Sequence, residues 1–257
     1  RRQRQMCIRD RFQMEDDEAD AEKAVNAYNT LKDNGMKVFI GTVTTGACLS
    51  VVSQTKADNM FQITPSASAA KVIANDNCFQ VCFTDPNQGT ASADYIASKG
   101  LATKVAVIYN SSDAYSSGIY DNFKAEAAAK GLDLVASEAF TGDSKQDFSS
   151  QLSKIKASGA ELIFLPIYYQ EASLILSQAK NAGITAKFFG CDGLDGLLNI
   201  ENFDKSLAEN VMLLTPFAAN ATDETTKKFV AAYNAKYDPS TPVSYTHLRA
   251  HETGAYL

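Results

Sequence analysis

Hydroxyl-bearing residues cluster directly after two short apolar runs. In KVFIGTVTTGACLSVV, the run Val38–Ile40 passes through Gly41 into Thr42, Thr44 and Thr45. In MFQITPSASAAKVIA, the run Phe61–Thr64 empties into Ser66, Ala67 and Ser68. Further along, Asp113 and Tyr115 follow KVAVIY, Tyr168 and Tyr169 follow ELIFLP, and Asp192 follows AKFFG. These are hydroxyls and aromatics, with acids in only two places. At a helix start, a hydroxyl adds a directed donor to backbone N–H groups that already carry partial positive charge. Plain helix capping, which Ser and Thr perform anyway, is the competing account. Asp192 competes with a reading as a solvated turn residue, and Tyr115 and Tyr168 with readings as core aromatics. Asp113 and Tyr169 read as supporting or solvent-facing.

Several chemistries are excluded by what the chain lacks. All six arginines lie at its extremes (Arg1, Arg2, Arg4, Arg9, Arg11 and Arg249), as do both histidines, His247 and His251. RRQRQMCIRDR and VSYTHLRAHET resemble translated sequencing-adapter reads, so residues 1–11 and 243–257 are set aside as tails foreign to the fold. The competing account is a basic arm for nucleic acid or a membrane surface. The body between them has no histidine, hence no His-based triad, His general base or His metal site. It carries eighteen lysines against twenty-eight acids, a net charge of −10 that argues against nucleic acid. No phosphate loop, no G-x-G-x-x-G after a strand and no G-x-S-x-G elbow occurs. No run of eighteen apolar residues is present. Cys48, Cys78, Cys82 and Cys191 fit no C-x-x-C pattern and read as small buried hydrophobes, with a Cys48–Cys78 disulfide as the alternative. No metal and no cofactor is expected.

The elements that must position the site alternate in type. Helical spacing of apolar residues runs through DAEKAVNAYNTLKDNG, residues 45–58, 89–99 and 116–130, DFSSQLSKIKASG, EASLILSQAKNAG and DETTKKFVAAYNAKY. Strands are expected at 38–40, 61–64, 79–83 and 104–109, and in LDLVASEAF, ELIFLP, AKFFG and NVMLLTPF. TDPNQG reads as a loop leading into its helix, and a helix is expected after Ser68. Strands alternating with amphipathic helices predict an α/β fold with parallel sheets covered by helices and right-handed crossovers. In such sheets the carboxyl ends of the strands form the ligand edge, which is where the residues named above lie.

The segments FQMEDDEADAEKAVNAYNTL, FIGTVTTGACLSVV, ITPSASA, FTDPNQG, NSSDAYSSGIYDNFKA, DFSSQLSKIKASGAELIFLPIYYQEASLILSQAKNAGI and FFGCDGLDG follow one another in order and spacing. Together they resemble the branched-chain amino-acid (Leu/Ile/Val) substrate-binding proteins of ABC importers, of the type I periplasmic-binding-protein class. The resemblance implies two Rossmann-like lobes that close on a ligand, and no catalysis. It implies that Thr45, Ser66, Ala67 and Ser68 hold the ligand carboxylate by hydroxyls and backbone groups. Tyr115, Tyr168 and Asp192 would come from the facing lobe, with Asp192 on the ammonium where the best-known members carry Glu. It further implies a first lobe of 12–101 plus 218–242, a second of 102–217, and a chain that is a fragment missing family segments at both ends. Expected partners are a small-molecule amino acid and an ABC permease in the membrane, with no nucleic acid and a monomeric state. The location would be extracytoplasmic, in the periplasm or lipid-anchored at the cell surface, the signal peptide being among the missing parts. A ligand-sensing domain of the same fold is the alternative function. An α/β hydrolase or transferase lacks a histidine and a nucleophile motif here.

Overall fold

The computed structural model describes residues 12–237. The two tails set aside above lie outside these residues, as does 238–242 at the end of the expected first lobe. The described chain forms two compact units: 12–82 with 222–237, and 83–221.

The first unit holds α1 (Ala21–Asp33), β1 (Val38–Ile40), α2 (Thr45–Ala57), β2 (Phe61–Thr64) and β3 (Cys78–Gln80). The three strands pair in parallel in the order β1-β2-β3. Asp20 caps α1 by accepting the N–H groups of Glu22 and Lys23, and so supplies two of the orphan donors at that helix start with an acceptor. One face of the sheet carries Phe39, which packs with Tyr28 of α1 and Val51 of α2. The other face carries Val38, Ile40, Phe61 and Phe79, all substantially exposed, with Phe61 and Phe79 stacked at 5.2 Å. Strand alternation thus puts the polar Gln62 and Thr64 inward and the apolar neighbours outward. By hydropathy alternation alone Phe61 and Ile63 would face the helices, so β2 is oriented against its pattern.

Gln62 replaces apolar packing with a closed hydrogen-bond network. Its Nε2 donates to the Gly41 carbonyl (3.0 Å) and to Cys48 Sγ (3.3 Å). Its Oε1 accepts from Thr55 Oγ1 (2.7 Å) and Cys78 Sγ (3.4 Å). The amide thereby engages Cys48 at one end and Cys78 at the other. The disulfide considered from the sequence is not present, and Cys48, Cys78, Cys82 and Cys191 are free thiols. Burial pushes the Cys48 thiol up to about 11, so it stays protonated at neutral pH.

The second unit holds α3 (Asp85–Ser98), β4 (Lys104–Asn110), α4 (Ala114–Ala129), β5 (Asp133–Phe140), α5 (Ser149–Ser158), β6 (Leu162–Leu165), α6 (Tyr169–Asn181), β7 (Lys187–Gly190) and β8 (Val211–Leu213). Its five strands are all parallel, in the order β5-β4-β6-β7-β8. Alternation along KVAVIY and LIFL fills both faces. Val105, Val107, Leu162 and Phe164 pack with Ile119 and Phe123 of α4. Ala106, Ile108, Ile163 and Leu165 pack with Leu152 and Ile155 of α5 and Ile175 of α6. The remaining helix, α7 (Glu224–Asn234), belongs to the first unit.

Two differences from the sequence reading bear on the site. First, α3 begins at Asp85, so TDPNQG is a helix start and not a loop. It also packs with the second unit, which begins at Phe83 and not near residue 102. The cause is visible at Gly89. A Cβ there would lie 2.6 Å from the Ile119 carbonyl oxygen and 2.7 Å from Phe123 N, so the backbones of α3 and α4 touch. Second, the helix expected after Ser68 is a single four-residue 3-10 turn, Ala70–Ile73.

Candidate functional site

In the first unit, Thr45 opens α2, and Ser66, Ala67 and Ser68 form the loop after β2. All four are buried. The loop is laced to its neighbours by threonine hydroxyls. Thr64 Oγ1 donates to the Thr42 carbonyl (2.6 Å) and accepts from Ala67 N (3.0 Å) and Ser66 N (3.4 Å). Thr45 Oγ1 accepts from Ser68 N (3.0 Å). From the end of β3, Gln80 Nε2 donates to the Ala67 carbonyl (3.2 Å) and Cys82 Sγ to the Ser66 carbonyl (3.0 Å).

This arrangement changes how the loop presents itself. The sequence reading had its backbone groups facing a ligand, whereas the N–H groups of Ser66, Ala67 and Ser68 donate to Thr64 and Thr45. Among the described residues, only α2 brings an α-helix N-terminus to the cluster. Its N-cap, Thr44, makes no side-chain capping bond. Thr44 Oγ1 and Ser68 Oγ are buried and have no hydrogen-bond partner among the described residues. Buried polar atoms without partners are rare, because each costs about 1–3 kcal/mol. Capping therefore does not account for this pair. Hydroxyls beside a helix N-terminus make a neutral, donor-rich cluster suited to an anion.

In the second unit, Asp192 follows β7 and starts a 3-10 turn (Asp192–Leu194). It is 2% exposed, so the reading as a solvated turn residue does not hold. Tyr115, in the first turn of α4, donates from its hydroxyl to Asp192 Oδ1 at 2.6 Å and accepts from Gly193 N at 2.9 Å. Burial, and then the Asp192 charge, push the Tyr115 phenol well above its usual value, so it remains the donor. The approach is tight enough to demand glycine at 193, where a Cβ would lie 2.8 Å from that hydroxyl and 2.7 Å from the Ile167 carbonyl oxygen. Tyr168, the half-buried N-cap of α6, stacks on Tyr115 at 4.9 Å. Tyr169 packs against the hydrophobic core. Asp113 caps α4 by accepting from Ser116 N (3.1 Å), the supporting role expected of it, and burial raises its carboxyl.

The structure thus groups Thr45 with Ser66, Ala67 and Ser68, and groups Tyr115 with Tyr168 and Asp192. Three residues that hold these clusters escaped the sequence reading: Thr64, Gln80 and Gln88. For Thr64 the alternation of FQIT marks Phe61 and Ile63 as the apolar side, so periodicity points away from it, and the contact of Gln88 spans 104 residues. Among the described residues no cluster of three or more His, Cys, Asp or Glu could hold a metal ion, and no helix is long and apolar enough to cross a membrane.

Comparison with known proteins agrees with this architecture. Residues 11–257 match the family model for periplasmic binding proteins. A Leu/Ile/Val-binding protein homolog from Brucella melitensis is 33% identical over 181 residues, which are 70% of this chain and 49% of the relative. A leucine-, isoleucine-, valine-, threonine- and alanine-binding protein from Pseudomonas aeruginosa is 28% identical over 88% of this chain and 60% of its own. Among solved structures, the leucine-binding protein LivK of Thermotoga maritima superposes with a TM-score of 0.79 at 27% identity, covering 86% of this chain and 63% of that one. The branched-chain amino acid transporter substrate-binding protein LivJ of Streptococcus pneumoniae, solved with isoleucine, gives 0.78 at 27% identity over 87% and 64%. The chain spans about half to two-thirds of the length of these relatives.

Proposed function

Because the chain belongs to the periplasmic binding protein family, in its type I branched-chain amino-acid class, we propose that it captures a free amino acid without altering it. Delivery would be to an ABC permease, on the extracytoplasmic side of the membrane. The observation that carries this reading is the complementary chemistry of the two clusters. One is neutral and rich in hydroxyl donors at a helix start. The other is a buried carboxylate fixed by a phenol.

A free amino acid is a zwitterion, and binding it in a closed site strips water from both charges. Such burial is tolerable only when each charge is paired and hydrogen-bonded. The hydroxyls of Thr45, Ser66 and Ser68, with the N-terminus of α2, suit the α-carboxylate. Asp192 suits the α-ammonium, with Tyr168 packing alongside. Tyr115 acts on the ligand through Asp192, because its hydroxyl already serves Asp192 and Gly193. The protein works as a monomer in this reading, since both charges of one ligand are met by one chain. The names of its relatives, which speak of leucine, isoleucine and valine, support aliphatic side chains as the preferred class.

Calorimetric titration against the twenty amino acids, with mass spectrometry of the recovered ligand, tests this. Tight binding of an aliphatic member, recovered unchanged, is the expected result. Turnover of the ligand, or binding to none of the twenty, overturns it.

A further inference from the structure

Asp192 is held from more than one direction. Its backbone N–H donates to Gln88 Oε1, in the first turn of α3, at 3.3 Å. The next N–H, of Gly193, donates to Tyr115 at the start of α4. Two consecutive amides of the turn are therefore pinned by side chains from two helices. Those helices are in backbone contact at Gly89, the residue beside Gln88, so the two anchor points have a fixed spacing.

Gln88 itself is fully buried. Its Nε2 has no hydrogen-bond partner among the described residues. A buried amide used on one side only is retained for that side. The reverse amide orientation would set two donors, Nε2 and Asp192 N, against each other. The acceptor is the part of Gln88 that the turn uses.

We propose that Gln88 is a positioning residue for ammonium recognition: by accepting from Asp192 N–H it fixes the turn that aims the Asp192 carboxylate. This rests on the reading that Asp192 meets the ligand's ammonium. Gln88 touches the ligand only through Asp192. Its loss should weaken recognition of the amino group and leave recognition of the carboxylate and side chain alone.

The test uses L-leucine and 4-methylpentanoate, which is leucine without its amino group, on the wild-type protein and Gln88→Met. Methionine keeps the length of the side chain and removes the carbonyl acceptor. Leucine binding is expected to fall about tenfold, because the turn is no longer held and part of the carboxylate–ammonium contact is lost. Binding of 4-methylpentanoate should stay within about twofold, so the preference for leucine narrows by about as much as leucine binding falls. A general structural loss would weaken both ligands together, and that result overturns the proposal. Gln88→Glu keeps a carbonyl acceptor whether or not it is ionised, and is expected to recover most of the leucine affinity. If Gln88→Met does not fold, a Gln88→Glu protein with its preference for leucine intact supports the proposal, and one with that preference lost overturns it. Wild-type protein that binds no amino acid overturns the reading of Asp192 as well. Wild-type protein that binds leucine while Gln88→Met keeps the full preference overturns only the role of Gln88.

Discussion

Asp192→Ala is expected to weaken leucine binding by roughly 30-fold to several thousand-fold. The range follows from the cost of removing one partner of a buried charge pair, about 2–5 kcal/mol, at about 1.4 kcal/mol per tenfold. Asp192 is 2% exposed, so in the proposed site no bulk water would replace the lost carboxylate. Tyr115 also loses the acceptor for its hydroxyl, which sits 2.6 Å from Oδ1. Asp192→Asn should be costly as well, because it keeps the shape and removes the charge. Asp113→Ala is the contrast. Asp113 caps α4, and an N-cap is worth about 1 kcal/mol of stability. Its loss should lower the melting temperature and leave the leucine Kd within about threefold of wild type. Calorimetry on the three variants checks the set. Near-normal binding by Asp192→Ala with abolished binding by Asp113→Ala would mean that the other acid meets the ligand.

Thr45→Val carries the second large effect, on the carboxylate side. Valine matches threonine in shape and removes both functions of the hydroxyl. Thr45 Oγ1 accepts from Ser68 N at 3.0 Å, so valine strands that buried N–H and loosens the Ser66–Ser68 loop. In the proposed site it also removes a donor to the ligand carboxylate. A hydrogen bond to a charged group is worth about 1.5–3 kcal/mol, so leucine affinity should fall about 10- to 150-fold. Thr45→Ser restores the hydroxyl and should recover most of the loss. Titration of leucine into both variants separates the outcomes. Equal affinity for the valine and serine forms would remove Thr45 from the site.

Much of the fold is legible in the chain. The continuous apolar runs of KVAVIY and ELIFLP specify strands buried on both faces, and β4 and β6 are those strands. The hydroxyl clusters stand where strands end, which is the ligand edge of a parallel sheet. What stayed hidden has physical causes. Gln62 and Phe61 are neighbours in an alternating strand, Phe-Gln-Ile-Thr, whose apolar side is the exposed one, so hydropathy points the wrong way. The start of α3 was misread because Asp-Pro-Asn looks like turn chemistry, although Pro at the first positions of a helix is equally at home. The roles of Tyr115 and Gln88 depend on Asp192, which lies 77 residues from the first and 104 from the second. No local pattern encodes contacts of that range. The loop after β2 was expected to offer its N–H groups outward, but Thr64 lies two residues before Ser66 and takes two of them inward.

The central claim is that both charges of one amino acid are required, each met by its own cluster. Competition titration of leucine against leucinamide and 4-methylpentanoate measures this directly. Leucinamide keeps the ammonium and loses the carboxylate charge, and 4-methylpentanoate does the reverse. With about 2–5 kcal/mol at stake in each buried charge contact, both analogues should bind at least about 30-fold more weakly than leucine. If either analogue competes as well as leucine does, one of the two clusters does not hold the ligand, and the account is wrong.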